Sequence, residues 1–239
     1  MKLTILIPMY NEQAILPDTL ATLSAYAREH FVSDYELLFV DDGSTDGSAE
    51  IVENYPDEAT RVLRYTPNRG KGCAVRTGML DARGERILFT DCDLAYGVEA
   101  LGDLLAFWDA HPEADAVVGS RPLHPDGYRG YTLLRKLFSR TYRFVLRLFF
   151  GLRLSDSQSG LKGFSRTAAR EIFSRCEIDR FAFDFEAIMI GETLGLRFAE
   201  MPACVVNNRT GGKVSLVKDS LRMLRDLFRI RRRVRRIKR

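Results

Sequence analysis

Through its first 120 residues the chain alternates short apolar runs with helix-like stretches, and this rhythm restricts the fold more than any other feature. Strands are expected at Leu3 to Met9, Tyr35 to Val40, Arg61 to Tyr65, Arg86 to Thr90 and Ala116 to Gly119. Helices are expected at 12–29, 45–54, 71–83 and 97–110. Strand–helix alternation at this spacing predicts an α/β fold with a mostly parallel central sheet flanked by helices on both faces. At 239 residues the chain is long enough for one well-filled core of that kind.

Ligands of such sheets bind beyond the carboxyl ends of the strands. Polar clusters stand at each of those ends: Tyr10-Asn11-Glu12, Asp41-Asp42-Gly43-Ser44, Asn68-Arg69-Gly70-Lys71-Gly72, Asp91-Cys92-Asp93 and Gly119-Ser120-Arg121. Any one of them could be a helix cap or a turn, but five along one rim, mixing acids with bases, exceed what capping requires. Asp91 and Asp93 sit two apart at the exit of an apolar run, where paired carboxylates can hold a hard divalent cation. The Gly-rich basic segment Asn68 to Gly72 opens a helix and favours an anion. Asp42, Ser44, Asp46, Gly47 and Glu53 imitate a calcium loop, but the segment before them reads as a strand rather than a helix. The sequence contains neither a Gly-x-Gly-x-x-Gly after its first strand nor a P-loop, which removes the main support for dinucleotide binding and P-loop phosphoryl transfer. His30, His111 and His124 lack ligand spacing and read as surface residues.

Beyond residue 121 the alternation stops. Tyr131 to Phe150 reads as one long helix, with Lys136, Arg140, Arg143 and Arg147 in a single stripe and Leu134, Leu137, Phe138, Val145, Leu148 and Phe149 forming an apolar side. That pattern suits a membrane interface, or equally a helix packed on the sheet with its bases in water. A second helix is expected from about Lys213, after Gly211-Gly212. Residues 222–239 hold ten Lys or Arg and one acid, so they carry +9 while residues 1–221 carry −5. Such a tail fits anionic lipid or nucleic acid, or a simply solvated segment. The expected division is therefore 1–212 as the main domain and 213–239 as a basic helix for a membrane surface. The four cysteines lie far apart without a zinc spacing, which fits a reducing, cytoplasmic compartment. Neither a signal peptide nor a membrane-spanning run is expected.

Ile7 to Glu12, Val40 to Gly47, Gly70 to Gly72, Asp91 to Asp93, Gly119 to Arg121 and Asp156 to Gly160 occur in an order and spacing that resemble the family 2 glycosyltransferases of the GT-A fold. Arg121, Arg135, Ser139 and the segment Asp156 to Phe164 resemble the polyprenyl-phosphate sugar synthase branch, which includes the dolichyl-phosphate glucose and mannose synthases. The resemblance implies that Pro8, Tyr10, Glu12 and Asp42 line the nucleoside pocket. It implies that Asp91 and Asp93 hold Mg2+ or Mn2+ against the diphosphate, and that Lys71, Arg209 and Lys213 bind the donor. Arg121, Arg135 and Ser139 would grip the acceptor phosphate, with Asp93, Arg121 and Arg135 nearest the chemistry. The implied partners are a nucleotide sugar, a polyprenyl (dolichyl or undecaprenyl) phosphate and an anionic membrane surface on its cytoplasmic face, with no nucleic acid. Mannose synthases often carry Gln where this chain has Ala95, so the donor leans to UDP-glucose over GDP-mannose. A related enzyme with a soluble or polysaccharide acceptor is the alternative; it would need a general base, which Asp184 or Glu186 would have to supply.

Overall fold

Leu3–Met9 forms strand β1 with all seven residues buried, and Tyr35–Asp41 (β2) repeats the pattern. Strands without a solvated face need helices on both sides. The structure, a computed structural model, describes residues 2–31, 34–129, 131–207 and 216–237, less the side chains of 134, 135, 138 and 216–224. The order continues from β1 through α1 (Leu16–His30), β2, α2 (Ser48–Glu53), β3 (Thr60–Arg64), α3 (Lys71–Asp81), β4 (Arg86–Phe89), α4 (Glu99–Asp109) and β5 (Ala116–Ser120). A 3₁₀ turn at Arg121–Leu123 precedes α5 (Leu133–Phe150), β6 (Lys162–Ser165), α6 (Arg166–Phe173), α7 (Phe183–Thr193), β7 (Phe198–Pro202) and α8 (Leu216–Ile237).

The strands form one sheet in the order β3-β2-β1-β4-β6-β5-β7. Neighbours are parallel except at β6, which runs antiparallel to both β4 and β5. Alternate residues of each strand feed separate cores. Ile5, Ile7, Leu37 and Phe39 pack with Leu20 of α1, Val52 of α2 and Leu104 of α4. Leu6, Leu38 and Val40 pack with Met79 of α3, Ile172 of α6 and Ile188 of α7. Each fully buried side chain of this size contributes about 1.5–3 kcal/mol of transfer free energy, so the sheet holds its rim as a rigid ledge.

All five expected strands and all four early helices are present, with shifted ends. Helix α1 begins at Leu16 rather than at residue 12, with Pro17 in its first turn, because residues 11–13 bond to the neighbouring loop instead. Strands β6 and β7 and helices α6 and α7 were not expected. Lys-Gly-Phe-Ser and Phe-Ala-Glu-Met-Pro lack the β-branched runs that announce a strand, and their place in the sheet comes from tertiary pairing. Helix α8 is seated on the body: Leu227, Ile230 and Val234 are buried in the core shared with α7, and Phe228 meets Phe150 edge-on at 5.8 Å.

Candidate active site

The loops after β1 and β2 are stitched to each other. Ser44 Oγ and Ser48 Oγ accept from the Asn11 and Glu12 amides at 2.9 Å each, and Asn11 Oδ1 accepts from the Thr45 amide at 2.8 Å. Asp46 accepts from the Gln13 amide and from both the amide and hydroxyl of Ser48. Ser44 and Asp46, two of the oxygen groups that imitate a calcium loop, are thus committed to shaping this rim. Pro8 lies within β1 opposite Val40, and Tyr10 and Glu12 follow it, half-buried at the strand's exit.

Asp42, expected beside the nucleoside, has a carboxylate turned to its own protein. It accepts from Tyr65 Oη at 2.7 Å, Asn68 Nδ2 at 2.8 Å, the Arg69 amide at 2.9 Å and the Gly70 amide at 2.8 Å. These bonds fix the turn that presents Lys71 at the start of α3. Gly70 has φ of 117°, and a Cβ there would run into the Asp179 carbonyl, so only glycine fits.

Lys71 donates to Asp91 Oδ1 at 2.5 Å, and Lys162 donates to Asp184 Oδ1 at 2.6 Å. Both ammonium groups stand over the Phe89 ring, 5.4 and 5.7 Å from its centroid. Two acids and two bases therefore cluster about the end of β4. Burial works against the Lys71 charge, but Asp91, Asp184 and Asp93 outweigh it and hold its pKa above the ordinary lysine range. Burial pushes the Asp184 carboxyl up, and Lys162 and Lys71 offset only part of that rise. Gly160 presses on Asp91 from the other side, where any Cβ would strike its Oδ2. Asp93 accepts from the Ala95 amide at 3.2 Å. Among the described residues no group of three or more His, Cys, Asp or Glu could hold a metal ion. A pair of carboxylates still fits Mg2+ or Mn2+, which commonly take one or two protein carboxylates and complete their shell with phosphate oxygens and water.

Arg121 lies further along the rim. Its Nε and Nη2 donate to the two oxygens of Asp156 at 2.6 and 2.8 Å, and its Nη1 donates to Tyr131 Oη at 3.0 Å. Asp156 is buried, so the guanidinium expected to grip a phosphate is held by a bidentate carboxylate of similar shape. Ser139 sits on α5, where its carbonyl accepts from Arg143 Nε at 3.3 Å. Arg209 and Lys213 lie outside the described residues, as does the side chain of Arg135. Glu186 accepts from the Glu177 and Ile178 amides at 3.0 and 2.8 Å, and burial pushes its pKa up to about 7. Sequence reasoning gave no role to Lys162 or Tyr131. A lysine between Leu161 and Gly163, on the far side of the Asp156–Gly160 motif, was the available signal for the first.

The fold around this rim is that of the GT-A glycosyltransferases. The chain is a member of glycosyl transferase family 2, which matches residues 4–173. It is 34% identical to the dolichyl-phosphate beta-glucosyltransferase of Drosophila melanogaster, over 96% of this chain and 74% of that protein. The Homo sapiens protein of the same name is 31% identical over 96% and 75%. Among solved structures, the glucosyl-3-phosphoglycerate synthase of Mycobacterium tuberculosis in complex with phosphoglyceric acid superposes with a TM-score of 0.73 at 19% identity, covering 96% of this chain and 79% of that one. The same synthase was also crystallised with Mn2+, UDP-glucose and phosphoglyceric acid, and in that form gives a TM-score of 0.70 at 20% identity over 98% and 79%.

Proposed function

We propose that this enzyme transfers glucose from UDP-glucose to the phosphate of a polyprenyl lipid, dolichyl or undecaprenyl, with inversion at the anomeric carbon. The observation that carries this reading is the commitment of the two acids, Asp184 and Glu186, expected to act as a base for a hydroxyl acceptor. Asp184 is buried against Lys162, and Glu186 is spent on the Glu177–Ile178 amides. A phosphate acceptor is anionic near neutral pH and needs no strong base. Its oxygen forms the new bond to C1 as the bond from C1 to the UDP oxygen breaks, and UDP leaves with that electron pair. The relatives named above as dolichyl-phosphate beta-glucosyltransferases support the same choice of donor sugar and acceptor.

The residues divide the work along the rim. Pro8, Tyr10 and Glu12 border the nucleoside, and Asp42 acts through the Asn68–Gly70 turn it fixes. Asp91 and Asp93 would hold the divalent ion, which supplies charge neutralisation for the departing diphosphate when bound. Lys71 adds a second positive charge at the same point. Arg121, with Arg135 and Ser139 from α5, orients the acceptor phosphate and offsets its repulsion by the donor. Arg209 and Lys213, outside the described residues, would add positive charge for the diphosphate.

The lipid acceptor brings the enzyme to a bilayer. No helix among the described residues is long and apolar enough to cross a membrane. Helix α5 exposes Leu133, Leu137, Phe144, Leu148 and Phe149, and α8 exposes Phe228 beside Arg231, Arg232, Arg235 and Arg236. Apolar side chains interleaved with bases suit an interfacial position on anionic lipid. The four unpaired cysteines suit the cytoplasmic face of that membrane. The test is a donor screen, radiolabelled UDP-glucose against GDP-mannose, with and without undecaprenyl and dolichyl phosphate. Lipid-linked glucose forming only with the polyprenyl phosphate is the expected result. Transfer to a soluble sugar, with none to the lipid, would replace this reading by the hydroxyl-acceptor one.

A further inference from the structure

We infer that Glu200, on edge strand β7, is a positioning residue for the acceptor clamp; this rests on the polyprenyl-phosphate reading above. Glu200 reaches over the end of β5 to the segment Ser155–Gly160. Its Oε1 and Oε2 accept from the Ser155 amide at 2.8 and 2.9 Å, Oε1 accepts from Ser155 Oγ at 2.5 Å, and Oε1 accepts from the Asp156 amide at 3.2 Å. Ser155 Oγ also lies 2.5 Å from Ser120 Oγ at the end of β5. The carboxylate thus fixes the backbone from which Asp156 projects, and Asp156 in turn sets the plane of the Arg121 guanidinium through its two-point contact. Glu200 carries the same sign of charge as the phosphate. Its contribution to acceptor binding must therefore come from holding geometry rather than from attraction.

The far end of the same segment has its own anchors. Ser159 Oγ donates to Tyr96 Oη at 3.1 Å, Lys162 Nζ donates to the Ser159 carbonyl, and Gly160 lies against Asp91. Loss of Glu200 therefore loosens the Arg121 end and leaves the Asp91 end in place. A kinetic asymmetry follows, and a general weakening of the fold would not produce it.

The experiment is steady-state kinetics of the full chain in detergent with Mn2+, UDP-glucose and a short polyprenyl phosphate, alongside thermal unfolding. Glu200→Ala is expected to raise the acceptor KM about 10- to 100-fold, the usual cost of losing a supporting contact to a site residue. The KM for UDP-glucose should stay near wild type, while the midpoint of unfolding drops because the Ser155 and Asp156 amides lose their acceptor. Glu200→Gln keeps an oxygen for the Ser155 amide while removing the charge, and should fall between wild type and Ala. An unchanged acceptor KM in Glu200→Ala would overturn the inference. So would parallel rises in both KM values, or a Gln variant worse than the Ala one. Wild-type protein is assayed first. Absence of lipid-linked product there counts against the proposed reaction, whereas product formation with an indifferent Glu200 counts against the positioning role alone.

Discussion

Both flanks of the rim have backbone amides anchored on carboxylates, Asp42 at one and Glu200 at the other, but they differ at their centres. At the β1–β3 flank, carboxylates and hydroxyls accept from backbone amides: Asp42 from Arg69 and Gly70, Asp46 from Gln13 and Ser48, Ser44 and Ser48 from Asn11 and Glu12. At the β5 flank the central contact is an ion pair between side chains, Arg121 with Asp156. A backbone amide deprived of its acceptor in a buried turn becomes an orphan, at about 1–3 kcal/mol each. Arg121 spends Nε and one N–H of Nη2 on Asp156 and one N–H of Nη1 on Tyr131, so one N–H on each Nη remains for a phosphate while the pair stays in place. The first flank is therefore spent on its own loops, whereas the second leaves N–H groups for an incoming anion. That division suits a rigid bed for a nucleotide beside a clamp for a mobile lipid headgroup.

Asp93→Ala acts between the flanks and should have the largest effect. Losing one of two carboxylates for the ion is expected to lower kcat on the order of 10²–10³-fold, with unfolding unchanged, as read from transfer assays across an Mn2+ titration. Full activity in that variant would remove the metal from the donor side altogether. Next comes a paired test of the contrast itself. Asp42→Ala strips the acceptor from Tyr65, Asn68, Arg69 and Gly70, and should cost about 2–4 kcal/mol in urea unfolding. Arg121→Lys keeps the charge but loses the fork. It should raise the acceptor KM by roughly tenfold with a smaller loss of stability than Asp42→Ala. If the two variants traded these phenotypes, the assignment of structural and anion-binding flanks would be reversed.

The same contrast governs what could be read from the sequence. The β1–β4 half was legible because β1, β2 and β4 are largely buried runs followed directly by polar turns, so the strand and helix ends that carry Asp91, Asp93 and Lys71 could be read from position. Their environment was not legible. Nothing in the local pattern says that Asp42 serves its own loop, since Tyr65 and Asn68 reach it through tertiary folding. In the second half, β6 and β7 are short and lack β-branched residues, and their pairing is non-local. The partners they carry, Lys162 for Asp184 and Glu200 for Ser155, stayed hidden for that reason. Helix α5 was visible from its periodicity, whereas the docking of α8 depends on Leu227, Ile230 and Val234 meeting α7.

Glu186 tests the support behind the rigid flank. It holds the turn whose Asp179 carbonyl accepts from the Cys73 amide at 3.1 Å, directly behind Lys71. Burial raises its pKa from 4.5 to about 7, so the folded state binds a proton more tightly than the unfolded chain does. Stability should then fall as pH rises from about 4.5 through 7, by up to about 3 kcal/mol. Glu186→Gln cannot ionise and keeps an oxygen for the Ile178 amide. Urea unfolding at pH 5 and pH 8 should show the wild type losing stability relative to this variant, and superimposable pH profiles would rule the effect out.

The smallest effect belongs to the outer face of α8. Arg235 and Arg236 are exposed, while Leu227, Ile230 and Val234 on the opposite face anchor the helix to the body. Replacing either arginine by alanine removes a charge from the proposed lipid contact without touching that anchor. Each replacement should weaken binding to phosphatidylserine-containing vesicles about fivefold at low salt, leave the unfolding midpoint alone, and matter less as salt rises. The apolar residues of α5 should keep part of the binding in high salt, because their burial in the interface is not screened. Flotation that ignores both arginines and salt would leave α5 as the sole attachment. The acceptor clamp would then face the bilayer through one helix, and α8 would serve only to close the core over α7.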